Sequence, residues 1–593
     1  MVQFSRLLSR FRRFVRNDQL IVTALSLGIG ALIAGAVIAF REGIILVQEI
    51  GFLTDDRRLI PDLVNLPGWQ IVLVPTVAGL VVGRLTRAWM PGERPHGVAD
   101  VIEAAALKGG RMSLSTGLKA ATLSVLSLGG GASAGREGPA VHLGASLASW
   151  CAKRLHLGRS LARTLLGCGV AAAVAASFNA PIAGALFASE VVLGHYALSA
   201  FAPVVISSVT ATALSRLYYG DFPAFMINHE ALLSPWEVTV FVGLGILCGL
   251  VARLFMWTVM VASAQGQRLP VPAWTRPAVA GFLVGLIALV FPQVLGIGYG
   301  VTEQALLGEL SLWLLIGICI AKIMATSLSL GFGFSGGIFS PALVIGAMLG
   351  GAYGLFVQAT LPELSSAPSA YTLVGMASVA AAVLGAPIST ALIIFEMTSD
   401  FALTLVVMIS VVLSSIITRQ FHGGSFFHWL LEQRGLDLRD GFETALLRQN
   451  RVTDVMEPFG EDNPAGVSTV RPEADLTVIR QRLQTAKQGM IFVVDREGQF
   501  LGTISLADLS DAAFDHDLDQ LVRAMDVVRS DALRLYPTDT LDKALELFRG
   551  AGEDWIAVTA SAEDATLMGA VNEIEVLDSY NRALLQNRRE EHA

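Results

Sequence analysis

Charge is what this chain has least of. Only 16% of its 593 residues are Asp, Glu, Lys or Arg, against 53% hydrophobic residues and a mean hydropathy of +0.59. A soluble protein carries about 25% charged residues, so the deficit excludes an ordinary cytosolic enzyme. The formal net charge is −8 and the pI about 5.7, which excludes a basic nucleic-acid binder and, with this hydrophobicity, a disordered chain. Cysteine is scarce too. Cys151, Cys168, Cys248 and Cys319 stand far apart in apolar stretches with no CxxC pair, so neither a disulfide framework nor a zinc site is indicated and buried free thiols are expected. P-loop and HExxH motifs are missing, and no catalytic residues and no metal are expected.

The charges that exist are unevenly spread. Residues 451–593 hold 14 basic and 27 acidic residues, whereas residues 1–450 hold 28 and 23. The tail is ordinary soluble protein and the body is an apolar block. Sequence alone therefore predicts an all-α polytopic membrane domain followed by an α/β soluble domain. The first seventeen residues contain five arginines and no acid, which reads as an amphipathic helix on the cytoplasmic face over 1–19. The apolar run from about Leu20 to Ala39 is long enough to span and lacks a small-residue cleavage site, so no cleaved signal is expected and the N-terminus should stay inside. The membrane domain is placed at 20–434, a linker at 435–450, and two similar soluble units at 451–515 and 516–593. Strands are expected at Met490–Val494, Leu501–Ser505, Trp555–Val558 and Leu567–Val571.

Several apolar segments fall short of the roughly 20 residues that a full span needs. Others are broken by Gly or Pro: GGGASAGREGP at 129–139, FNAP at 178–181, GFGFSGGIFSP at 331–341 and GAP at 385–387. Broken helices are tolerated in lipid only where backbone is buried in protein or lines a polar cavity. An internal repeat accompanies the breaks. Ala180-Pro181-Ile182 with Glu190 recurs as Ala386-Pro387-Ile388 with Glu396, at an offset of 206; Pro139-Ala140-Val141 with Gly144-Ala145 recurs as Pro341-Ala342-Leu343 with Gly346-Ala347, at 202. Interrupted segments at matching places in two halves point to a transporter site where the repeats meet.

The sharpest local feature is Gly135-Arg136-Glu137-Gly138-Pro139. Ionisable residues are costly inside a membrane, glycines let backbone approach a ligand, and Pro139 suits a first helical turn. The motif predicts a helix N-terminus deep in the membrane, which attracts anions. Gly336-Gly337-Ile338-Phe339-Ser340-Pro341 repeats the device without a charge. Two readings of Glu137 stand: a carboxylate that occupies the anion's own place, or half of an Arg136–Glu137 ion pair among packing glycines.

GREGP, GGIFSP and FNAPIAGALFASE together resemble the CLC family of chloride channels and proton-coupled chloride antiporters, over about residues 20–434. The resemblance implies a homodimer with one pore per subunit, built from two inverted halves of tilted, broken helices, with chloride as substrate and no cofactor for transport. It implies that Glu137 is the gating glutamate, and that His96, Gly97, Val98, Arg136, Gly138, Gly337, Ile338, Phe339 and Phe427 are anion-binding positions. Three positions depart from the family pattern. His96 stands where many members have a serine; it either donates to the anion or is structural and turned away. Phe427 replaces a tyrosine that often closes the inner side. Val191 follows Glu190 where many antiporters carry a second, proton-relaying glutamate. The expectation is a gated, voltage- or pH-sensitive chloride channel in the cell membrane. The alternatives are a chloride/proton antiporter and, further off, a fluoride or nitrate transporter.

The soluble tail resembles a cytoplasmic pair of CBS domains. In Gly502-Thr503-Ile504-Ser505-Leu506-Ala507-Asp508 the resemblance implies that Ser505 meets a phosphate and Asp508 a ribose. The second copy has Asn572 and Glu575 there. An adenine-nucleotide site and a ligand-free dimerisation module both stay open. Partners expected are the lipid membrane and a second copy of the chain, with no nucleic acid.

Overall fold

The computed structural model describes residues 18–53, 66–194, 198–220, 236–364, 367–398, 400–436, 450–459, 467–486, 488–509, 519–551, 553–579 and 581–582. Most of the expected N-terminal amphipathic helix and most of the expected linker lie outside these residues. The chain divides into two compact units, residues 1–435 and 436–593.

Among its described residues the regular elements of the first unit are all helices. Its elements are α1 (Asp18–Phe52), α2 (Gly68–Trp89), α3 (Val98–Leu107), α4 (Leu114–Gly129), α5 (Glu137–Arg154), α6 (Arg159–Phe178), α7 (Pro181–Phe187, continued by a π turn, Ala188–Leu193), α8 (Leu198–Tyr219), α9 (Glu237–Arg268), α10 (Arg276–Val290), α11 (Tyr299–Leu306), α12 (Leu312–Gly331), α13 (Phe339–Thr360), α14 (Pro368–Leu384), α15 (Pro387–Thr398), α16 (Phe401–His422) and α17 (Phe426–Glu432). Among the described residues, nine helices are long and apolar enough to cross a bilayer. Pro181–Leu193, Pro368–Leu384 and Pro387–Thr398 are apolar but shorter.

The breaks have a local cause. Asn179 ends α6 in the left-handed conformation (φ 59°) and Pro181 opens α7; Gly385 ends α14 likewise (φ 68°) and Pro387 opens α15. A left-handed cap followed by proline at the first helical position stops one helix and starts another. FNAP and GAP are therefore one device used twice.

The repeat is also visible in packing. Gly144 of α5 and Gly169 of α6 approach until a Cβ on either would lie within 2.5 Å of the other's carbonyl oxygen. Gly346 of α13 and Gly375 of α14 do the same within 2.4 Å. Small residues at such crossings let backbones come together where lipid offers no hydrophobic drive. Hydrogen bonds between the halves obey the same symmetry. The Gly135 N–H donates to the Gly337 carbonyl and the Gly337 N–H to the Gly135 carbonyl, both at 2.7 Å. The Ser133 N–H donates to Ser329 Oγ and the Ser335 N–H to Ser127 Oγ, both at 3.1 Å. Cys168, Cys248 and Cys319 are buried free thiols, whereas Cys151 is partly exposed, because it lies beside exposed Trp150 in the last turn of α5.

The second unit holds seven short strands in two sheets among its described residues: β1 (Glu457–Pro458), β2 (Thr469–Val470), β3 (Met490–Val494), β4 (Phe500–Ser505), β5 (Arg534–Leu535), β6 (Trp555–Thr559) and β7 (Leu567–Asn572), ordered β2-β3-β4 and β1-β7-β6-β5. The four strands expected from sequence are present, three of them one residue longer. In each sheet a parallel pair (β2/β3, β5/β6) adjoins an antiparallel pair (β3/β4, β6/β7), and both antiparallel ladders shift register near the end of their first strand. The soluble unit is a duplicated α/β module.

Candidate functional site

Three helix N-termini meet in the first unit. A Cβ on Gly138, in the first turn of α5, would lie 3.2 Å from the Gly337 Cα just ahead of α13 and 3.8 Å from Val98 Cγ2 at the start of α3. A Cβ on Gly135 would lie 3.0 Å from the Ser340 nitrogen. The glycines are thus required by close backbone approach, and they bring first-turn N–H groups together. Such N–H groups and aligned helix dipoles make a low-cost place for an anion. Gly97, Val98, Gly138, Gly337, Ile338 and Phe339 all belong to this junction or flank it.

Glu137 is buried, 1% exposed. Its carboxylate accepts from the Tyr299 hydroxyl at Oε1, 2.6 Å, and from the Ser340 hydroxyl at Oε2. Arg136 Nε lies 3.6 Å from Oε1, and the Arg136 guanidinium sits 4.9 Å from the centre of the Tyr299 ring. Glu137 thus pairs with Arg136 and at the same time reaches Ser340 in the first turn of α13. Tyr299 and Ser340 escaped the sequence reading as ligands of Glu137. Ser340 lay inside the quoted GGIFSP motif, and Tyr299 stands between Gly298 and Gly300, an aromatic in a glycine-rich break.

Phe339 packs its ring on Phe178 at 4.9 Å and on Phe187 at 6.1 Å. Those rings come from the ends of α6 and α7, so the first half anchors the helix start of the second. Phe427 is buried on α17, which packs against α3 and begins at Ser425, whose hydroxyl accepts from the His428 N–H.

His96 sits just before α3. One ring nitrogen lies 3.5 Å from Asp100 Oδ1, the other 3.4 Å from the Pro91 carbonyl, and the ring packs edge-on against buried His142 at 5.8 Å. Asp100 caps α3 by accepting from the Gly97 N–H at 2.8 Å, and it pairs with Arg94 at 2.7 Å and Arg434 at 3.0 Å. His96 is therefore turned into a charged cluster that fixes the α3 N-terminus. Val191 lies in the π turn that continues α7, next to Glu190, and that turn packs against α3.

In the soluble unit Ser505 ends β4 and its hydroxyl donates to Asp508 Oδ2 at 2.7 Å, which also accepts from the Ser505 N–H at 2.7 Å. At the matching turn Asn572 Oδ1 accepts from the Ile574 N–H at 2.7 Å. The second copy thus keeps a turn cap, with an amide in place of a hydroxyl.

Comparison with known proteins identifies the family and the fold. The family model described as voltage gated chloride channel matches residues 78–419, and the CBS domain model matches 452–515. A putative chloride channel protein ClcB-like from Ralstonia nicotianae is 35% identical over 390 residues, covering 64% of this chain and 90% of the relative. The voltage-gated ClC-type chloride channel ClcB of Citrobacter koseri is 34% identical over 403 residues, 67% of this chain and 96% of that protein. Two solved structures share the fold. A slow cyanobacterial Cl−/H+ antiporter has a TM-score of 0.64 at 21% identity, covering 70% of this chain and 97% of its own. A eukaryotic CLC transporter has 0.61 at 20% identity, covering 94% and 98%. With a family model spanning more than half its length and relatives covered almost end to end, this chain is a CBS-bearing member of the voltage-gated chloride channel (CLC) family.

Proposed function

We propose that this chloride transporter is a gated channel, with one pore in each subunit of a homodimer, in the cell membrane with its soluble unit cytoplasmic. The observation that carries the gate is the buried Glu137 carboxylate, held by two hydroxyls beside the helix starts that would otherwise receive an anion. In this reading the ionised carboxylate competes with chloride for that place. Protonation, or displacement by chloride, releases it and opens the path. Lower pH therefore favours conduction. Voltage acts through the permeating ion, since one charge crossing 100 mV is worth about 2.3 kcal/mol.

Gly97, Val98, Arg136, Gly138, Gly337, Ile338, Phe339 and Phe427 are proposed to form the anion path around this gate, and His96 to support its α3 edge through Asp100. Val191 supports a channel over an antiporter, because it puts an apolar side chain where a proton-relaying carboxylate would be needed. The relatives at 34–35% identity are named chloride channels, which supports the same reading. At the CBS unit we propose adenine-nucleotide binding, with a phosphate competing with Asp508 for the Ser505 hydroxyl.

The decisive experiment is reconstitution of the full chain in liposomes with chloride and proton fluxes recorded together. A channel passes chloride down its gradient and moves no protons uphill. Uphill proton movement driven by a chloride gradient would replace the channel with an antiporter. Glu137→Gln should abolish the pH dependence while leaving chloride flux, and fluoride and nitrate fluxes in the same vesicles rank the anions.

A further inference from the structure

A lysine is buried in the membrane unit away from the anion junction. Lys322, near the middle of α12, is fully buried. Its Nζ donates to the Val294 carbonyl at 3.0 Å and to the Gly296 carbonyl at 2.9 Å. Among the described residues no carboxylate lies within ion-pair distance of it. Both carbonyls belong to the connection between α10 and α11, a 3-10 turn at Pro292–Val294 followed by Gly296 and Gly298 in left-handed conformations (φ 62° and 92°). Non-helical carbonyls at membrane depth need donors, and an ammonium with three N–H bonds can serve more than one of them. A Cβ on Gly298 would lie 3.3 Å from Lys322 Nζ and 2.9 Å from Val344 Cγ2, so the ammonium is packed against the turn itself.

The residue after Gly298 is Tyr299, which opens α11 and whose hydroxyl donates to Glu137. We infer that Lys322 is a positioning residue for the gate: by clamping the 294–298 turn it fixes where the Tyr299 hydroxyl stands, and so how firmly the Glu137 carboxylate is held. This rests on the reading of Glu137 as the gate. Among the described residues the charged and titratable groups around that carboxylate are Arg136 and Tyr299, with Arg41 and Tyr219, the latter bonded to Glu42, lining the same cavity as Arg136. Lys322 reaches the carboxylate only through the turn. The rival role is electrostatic, a fixed positive charge that attracts anions whatever the gate does.

The test uses full-length protein in liposomes, with chloride efflux measured against pH. Glu137→Gln comes first: if it keeps the wild-type pH dependence, the gate reading fails, independently of Lys322. Given a pH-independent Glu137→Gln, Lys322→Met should move the pH midpoint upward by about one unit, in the same direction as Tyr299→Phe. Lys322→Met/Tyr299→Phe should shift no further than Tyr299→Phe alone. In the Glu137→Gln background Lys322→Met should leave flux within about twofold. Lys322→Arg, which keeps a donor, should restore most of the wild-type profile. A midpoint unmoved by Lys322→Met, additivity with Tyr299→Phe, or a loss of flux in the Glu137→Gln background overturns the proposal. Should Lys322→Met give no monodisperse protein, Lys322→Gln is carried through the same comparisons and judged by the same outcomes.

Discussion

Glu190 and Glu396, 206 positions apart, each cap the helix that begins in the other half of the repeat. Glu190 accepts from the Ile388 and Ser389 N–H groups at 3.0 and 2.8 Å, and Glu396 accepts from the Ile182 and Ala183 N–H groups at 2.9 and 2.7 Å. A carboxylate taking two first-turn N–H groups satisfies orphan donors and meets the positive end of the helix dipole. Both α7 and α15 start with proline preceded by alanine, Ala180 and Ala386, which has no polar side chain with which to cap the helix. The two halves supply each other's.

Replacing either glutamate by alanine should therefore cost similar stability, about 2 kcal/mol each for charge-assisted capping bonds. Glutamine, which keeps one acceptor oxygen, should recover part of it. Thermal melting of the detergent-purified protein reads this out. One silent residue beside one damaging residue would show that the capping is not equivalent.

Tyr299→Phe removes a donor to the Glu137 carboxylate. The ionised form loses a hydrogen bond to a charged group, about 1.5–3 kcal/mol, so the side chain binds its proton more readily. Chloride flux rises as pH falls in the proposed gate, and the variant should begin that rise about one to two pH units higher. A midpoint shifted downward would contradict the assigned donor role.

Glycines here divide by surroundings, and substitution should follow. A Cβ on Gly337 would stand 3.0 Å from the Gly138 nitrogen, pushing the halves apart at their reciprocal bonds; Gly337→Ala should abolish flux. Gly35, in the helical interior of α1, has nothing within 4 Å of a built Cβ. Gly35→Ala should leave flux intact and stabilise by about 0.5–1 kcal/mol through helix propensity. Flux assays with melting curves on both variants separate the two classes.

Calorimetric titration of the full chain with AMP, ADP and ATP tests the soluble unit. Binding should be lost in Ser505→Ala, which removes the proposed phosphate contact, and weakened in Asp508→Ala, which removes the proposed ribose contact although it frees the Ser505 hydroxyl. Heats that survive both substitutions would move the ligand elsewhere, and heats absent from the wild type would leave a module without nucleotide.

Much of this architecture is written plainly in the chain. Asn179 with Pro181 and Gly385 with Pro387 are local stop-and-start signals, legible because backbone geometry restricts those residue types wherever they stand. Glu137 is legible for a different reason: a carboxylate amid apolar glycine-rich sequence has to be used. His96 is less so. Its position suggested the pore, but Asp100, Arg94 and Arg434 draw its ring into a cluster, and Arg434 stands more than 300 residues away in sequence. Tyr299 and Lys322 were invisible, since their partners come from a distant helix start and a loop that only the folded chain brings close. Periodicity reports on a residue's own helix and says nothing of what arrives from the other half.

The bridge between Gly135 and Gly337 imposes an order on biosynthesis. At about 5–20 residues per second, a ribosome needs roughly 10–40 s to travel from one glycine to the other. During that interval the peptide groups at Gly135 lack the pair that will satisfy them, in surroundings where water is scarce. The nascent first half cannot be an independent folding unit at its most buried point; it has to be sheltered, in the insertion machinery or in a partly hydrated intermediate, until its counterpart is made. A chain truncated anywhere before Gly337 should therefore be a substrate for quality control rather than a half-sized transporter.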